Sequence, residues 1–183
     1  TGHFEVDEIR SVTGDRDTLM EALSALVDSE ASPTASTAVL ADVLPSAPGW
    51  GAVAHIAFSS SRKWSGTAFE HQGTWVLGAP EVLLDVCNAA TASALQADVD
   101  LLTADAKRVL MVAHSAQSFG ASDALPVELS PVGLVVLAEQ LRSDAADIMD
   151  YFARQQVSVK IISGDSAGTV SAVARRLGVA GAR

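Results

Sequence analysis

The chain has 183 residues, 49% of them apolar, which is ample for a core and argues against intrinsic disorder. A formal net charge of -10 and a pI of about 4.6 would repel phosphate backbones and anionic membranes, so a general nucleic-acid or lipid-surface role is unfavourable and any anion site must be local. The apolar run VGLVVLA at 132–138 is far short of the roughly 20 residues that a membrane helix needs.

The opening TGHFEVDEIR carries no initiator Met, charged n-region or apolar h-region, and reads as a piece of a longer chain without a signal peptide. GDRDTLMEALSALVDSE, with Asp at its start and Leu19, Leu23, Leu26 and Val27 at helical spacing, predicts a capped amphipathic helix over 16–29. A second helix is expected from near Pro33. GAVAHIAF (51–58), KWSGTAF (63–69) and TWVLG (74–78) are short and rich in aromatic or β-branched residues. Separated by Ser and HQG turn signals, they predict an antiparallel meander. Helices from Pro80 and from about Thr91 follow, then a strand KRVLMVA at 107–113. The only cysteine, Cys87, falls in VLLDVCN on an apparent apolar helical stripe. That placement suits a buried structural thiol, and the cysteine count is compatible with the cytosol.

SFGASDALP (118–126) is turn-rich and marks an expected boundary. Beyond it the pattern is strand VGLVVLA, helix SDAADIMDYFARQQ, strand VSVKIIS, turn GDSAG and helix TVSAVARRLG. This βαβα order favours a parallel sheet. The expected fold class is therefore α/β in the α+β sense: an antiparallel sheet with flanking helices, followed by a βαβα unit.

FSSSRKWSG (58–66) concentrates hydroxyls, two adjacent cations and an exposed-looking Trp64 in an otherwise acidic chain. It bridges two predicted strands, so Phe58 and Lys63 could meet one ligand. A ring that stacks on a purine beside an ammonium suits a nucleotide, whereas a core Phe beside a solvated turn is the plainer alternative. In VLGAPEVLL (76–84), Gly78 and Ala79 would let a flat base approach the backbone, and Pro80 suits the first turn of a helix. Arg108, at the start of a strand, could make paired hydrogen bonds to phosphate. Asp165, just past a strand end, sits where doubly wound folds collect ligands. His3, His55, His71 and His114 show no metal-ligand spacing.

Taken in order, these stretches resemble the P-type cation-transporting ATPases. FSSSRKWSG is similar to that family's Phe-x-Ser-x-Arg-Lys segment, LGAPE to Lys-Gly-Ala-Pro-Glu and RVLMVA to Arg-Val-Leu. AEQLRSDA is similar to Asp-Pro-x-Arg, and SGD to Thr-Gly-Asp. The resemblance implies a lead-in from the phosphorylation domain at 1–12, a nucleotide-binding domain at 13–125 and part of a haloacid-dehalogenase-like phosphorylation domain at 126–183. It implies ATP as ligand, with Phe58 stacking on adenine, Ser60 and Lys63 lining the adenine pocket, and Gly78 and Ala79 as its floor. Arg108 would reach the phosphates, and Arg142 and Asp165 would hold the phosphate end. In the full pump it implies Mg²⁺ arriving with the nucleotide. The remaining phosphorylation, actuator and membrane domains would be partners, at the cytoplasmic face of a membrane.

The sequence departs from the family pattern in several places. Leu77 replaces the Lys of Lys-Gly-Ala-Pro, removing a cation. ASPTAST is similar to a Gly-Asp-Pro-Thr-Glu segment whose Glu contacts the purine amino group, but carries Ala35 there. Glu139 and Ser163 replace Asp and Thr. No Asp-Lys-Thr-Gly occurs, so the chain is expected to bind nucleotide without turning it over. The wording of the later segments resembles a bacterial, actinobacterial calcium or divalent-cation subgroup. Two rival classes are a stand-alone haloacid-dehalogenase-type phosphatase, against which the missing nucleophile argues, and a non-catalytic nucleotide-sensing module.

Overall fold

A computed structural model describes residues 4–104, 107–120, 123–139, 145–157, 159, 160, 174 and 177. The chain opens with strand β1 (Phe4–Ser11) and turns into helix α1 (Arg16–Asp28). Asp15 caps α1 by accepting from the Thr18 amide at 3.0 Å and the Thr18 hydroxyl at 2.7 Å. Leu19, Ala22, Leu23 and Leu26 recur at helical spacing and bury the inner face of α1. Helix α2 (Ala35–Ala41) starts on a reciprocal capping box between Thr34 and Thr37.

The expected meander is present as β2 (Ala52–Ile56), β3 (Trp64–Phe69) and β4 (Gly73–Gly78), paired antiparallel. Helix α3 (Pro80–Leu83) begins on the proline and runs into a 3₁₀ turn at Leu84–Val86; α4 (Ala89–Ala104) and β5 (Arg108–Ser115) follow. Cys87 ends the 3₁₀ turn and does not sit on a helical stripe. Its thiol is half-buried and donates to the Leu83 carbonyl at 3.0 Å, and burial pushes its pKa up. Strand β6 (Ser130–Glu139) and helix α5 (Ala145–Arg154) complete the described elements.

The strands form one six-stranded antiparallel sheet in the order β1-β6-β5-β4-β3-β2. This corrects the expectation for VGLVVLA. That run was predicted to open a parallel unit, and it lies instead in β6, antiparallel to β1 on one side and to β5 on the other. Both expected domain limits consequently fall within one sheet, since β1 precedes the first limit and β6 follows the second. The physical reason is burial on both faces. Val135 and Leu137 pack with Leu19, Leu23 and Leu40 of α1 and α2, whereas Leu134 packs with Leu83, Leu95 and Val99 of α3 and α4. A strand between two helical layers is apolar throughout, whichever way its neighbours run. Gly133 lets α1 approach, because a Cβ there would lie 2.5 Å from Leu19 Cδ2. The second strand and last helix of the expected βαβα unit lie almost wholly outside the described residues.

Candidate functional site

At the end of the sheet where β3 begins and β4 stops, a cleft of about 740 Å³ opens between the strands and the first turn of α2. Phe58, Ser60, Lys63, Gly78, Ala79 and Arg108 all line it. Arg142 and Asp165 lie outside the described residues. Ser65 and Leu77, opposite each other on β3 and β4, form the floor together with Leu110.

The turn before β3 explains the cluster of hydroxyls. Ser59 Oγ accepts from the Arg62 amide at 3.2 Å and lies 3.0 Å from Ser61 Oγ, while the Lys63 amide donates to the Ser59 carbonyl at 2.7 Å. Lys63 itself has φ of 61°, a left-handed conformation that costs a side-chain-bearing residue about 1–3 kcal/mol. The bend is held from both sides, because the Ala79 amide donates to the Lys63 carbonyl at 2.9 Å. The adjacent cations then part. Arg62 turns back, its guanidinium 5.7 Å from the Trp64 ring and bonded to the Ala57 carbonyl, while Lys63 faces the cleft. Trp64, which looks exposed in the sequence, is buried and stacked on Phe119. Phe58 lines the cleft and leaves 41% of its surface exposed.

Gly78 is required for a reason the sequence does not display. A Cβ there would fall 2.5 Å from Trp64 Cβ and 3.0 Å from the Lys63 carbonyl oxygen, so its bare face admits the neighbouring strand. Helix α3 supplies Glu81, whose Oε1 lies 3.1 Å from Lys63 Nζ. Burial pushes the Glu81 carboxyl up, but its own backbone amide and Lys63 outweigh this and hold it below its ordinary value. On β5, the Arg108 guanidinium sits 5.4 Å from the Phe4 ring, and Lys107 Nζ lies 2.8 Å from Asp7 Oδ2. Strand β1 thus anchors both cations of the cleft's far end.

Glu30 is the residue that sequence reasoning missed. It follows α1 without any motif, yet its carboxylate lines the cleft, accepting from Ser65 Oγ at 2.9 Å and from Thr37 Oγ1 at 2.9 Å. The capping box of α2, S/T-x-x-T in form, was the available signal that Thr37 would hold its hydroxyl there. An exposed aromatic face, cations at one end and an apolar floor fit a nucleotide. Among the described residues no group of three His, Cys, Asp or Glu is placed to hold a metal ion by itself. Nor is any described helix long and apolar enough to cross a membrane.

No protein-family model matches the chain. The chain is nevertheless similar, over 97% of its length and at 43% identity, to the calcium-transporting ATPase CtpE of Mycolicibacterium smegmatis. Similarity to CtpE of Mycobacterium tuberculosis is 42% over the same share, and to the probable cation-transporting ATPase exp7 of Streptococcus pneumoniae 34% over 70% of the chain. The chain corresponds to a segment of a P-type cation-transporting ATPase. It spans 22% of the length of the first of these relatives and 21% of the second.

Proposed function

We propose that this chain is the ATP-holding part of a P-type pump that couples ATP hydrolysis to transport of calcium or a related divalent cation, working at the cytoplasmic face of a membrane. The observation that supports this reading best is the convergence of Phe58, Ser60, Lys63, Gly78, Ala79 and Arg108, drawn from three separate stretches of sequence, on one cleft. The nucleotide-binding unit is the whole sheet with its helices, from residue 4 to residue 139. Within it the base stacks on Phe58 beside Lys63, and the phosphates point toward Arg108. The protein's share of the chemistry is positioning: it presents the γ-phosphate to a nucleophile supplied elsewhere in the parent chain. Magnesium comes with the nucleotide and needs carboxylates beyond those described.

Titration with ATP, followed by amide chemical shifts, tests the reading. Perturbations are expected at residues 58–65, 77–81 and 108–110, and Phe58→Ala should weaken binding by about 1–3 kcal/mol, the range for losing a stacked base. Perturbations confined to another face, or unchanged affinity in the variant, would overturn it. The chain alone should show no ATP turnover and no acid-stable phosphoenzyme.

A further inference from the structure

We propose that Phe4 is a positioning residue for the phosphate end of this cleft: its ring holds Arg108 in place without neutralising it. The inference rests on the nucleotide reading given above. Lys63, Lys107 and Arg108 are the cations that line the cleft among the described residues. Each lysine is paired with a carboxylate, Lys63 with Glu81 at 3.1 Å and Lys107 with Asp7 at 2.8 Å. No carboxylate pairs with Arg108 among the described residues, and its guanidinium meets the Phe4 ring instead, 5.4 Å from the centroid.

The register brings the two side chains together. Val6 is opposite Leu137 across the β1 and β6 pair, and Leu137 is opposite Arg108 across the next. Phe4, two residues from Val6, packs with Val6 and Leu137 against the cluster on the α1 and α2 face, and Arg108 stands on that face with Leu137. Strand β6 lies between them, a gap of about 10 Å from β1 to β5 that two long side chains close. Arg108 is exposed, so without a partner it would have to be ordered by the ligand at the moment of binding. A carboxylate would also fix it, but would then compete with phosphate for its N–H groups. A ring attracts the cation through its negative face and takes up none of that hydrogen-bonding capacity. The guanidinium fork stays open for two parallel bonds to phosphate oxygens.

The test compares the affinities of the chain for ATP and for adenosine by chemical-shift titration. Phe4→Leu should weaken ATP binding about two- to fivefold, the scale of a cation–π contact at an exposed site, and leave adenosine unchanged. Phe4→Tyr, which keeps the ring, should bind ATP like the wild type. Arg108→Ala should itself weaken ATP binding, and in that background Phe4→Leu should have no further effect. Unchanged ATP affinity in Phe4→Leu, an equal loss for ATP and adenosine, or a loss that persists without Arg108 would overturn the proposal while leaving the cleft as a nucleotide site. Unchanged ATP affinity in Arg108→Ala would overturn it too, by removing Arg108 from the phosphates. Failure of the wild type to bind ATP overturns the nucleotide reading itself. Where Phe4→Leu does not fold, pentafluorophenylalanine at position 4 keeps the size of the ring and reverses the charge of its face. It should reproduce the loss specific to ATP, and unchanged ATP affinity with it overturns the proposal.

Discussion

Lys63 and Glu81, 18 residues apart in sequence, meet across the mouth of the cleft with Nζ and Oε1 3.1 Å apart. The lysine best placed to greet a nucleotide is therefore already neutralised by a carboxylate from helix α3. Both side chains are more than half exposed, so the pair is worth little by itself, in the range of about 0.2–1 kcal/mol. Glu81→Gln should release Lys63 and tighten ATP binding by up to about fivefold, with a steeper dependence on salt. Calorimetric titration at two ionic strengths checks this, and weaker binding in the variant would mean that Glu81 itself touches the ligand.

Leu77→Lys should change two properties in opposite directions. Leu77 is buried in the core cluster on the α1 and α2 face, yet it borders the cleft. A lysine could lay its stem over that core and carry its ammonium to the ligand. ATP affinity should rise, while stability to urea should fall by about 1–3 kcal/mol for the packing and desolvation lost. A variant that is destabilised without any gain in affinity would show that the ammonium cannot reach the nucleotide.

Gly78→Ala tests whether that glycine serves packing. The added methyl would collide with Trp64 and the Lys63 carbonyl and force β3 and β4 apart, so a loss of about 1–3 kcal/mol in urea unfolding is expected. Unchanged stability would show that the strands separate freely and that the glycine is there for another purpose.

Acid should unfold the chain through a defined set of carboxylates. The Arg10 guanidinium holds Glu8 below its ordinary value, Thr18 does the same for the Asp15 cap, and Glu81 is held down as described. Each folded-state pKa is depressed, so the stability these groups contribute is present above the unfolded value of about 4 and is lost as pH falls through the folded one. The urea midpoint should decline below about pH 4. Glu8→Gln should shrink that decline, whereas an unaltered slope in this variant would remove Glu8 from the set.

The meander and its flanking helices were legible because each carries a local signal: aromatic and β-branched residues in short runs at β3 and β4, turn residues at His71 and Gly73, Pro80 at a helix start. Partners of β6 were not legible. Its apolar run records that both faces are covered and contains nothing about strand direction, and the pairing that decides direction joins residues at opposite ends of the unit. Phe58 and Lys63 could be marked as candidates from one nonapeptide, but the separate fates of Arg62 and Lys63 depend on a left-handed φ at a lysine, which no propensity suggests. Glu30 was invisible because its partners, Ser65 and Thr37, come from a strand and a helix that only the folded chain brings together.

Strands β1 and β6 pair with Phe4 opposite Glu139, so the chain enters the sheet and leaves it at adjacent points on neighbouring strands. The Phe4 ring packed against Arg108 lies at this same place. Phe4 therefore couples the point where the chain enters the sheet to the cationic end of the cleft.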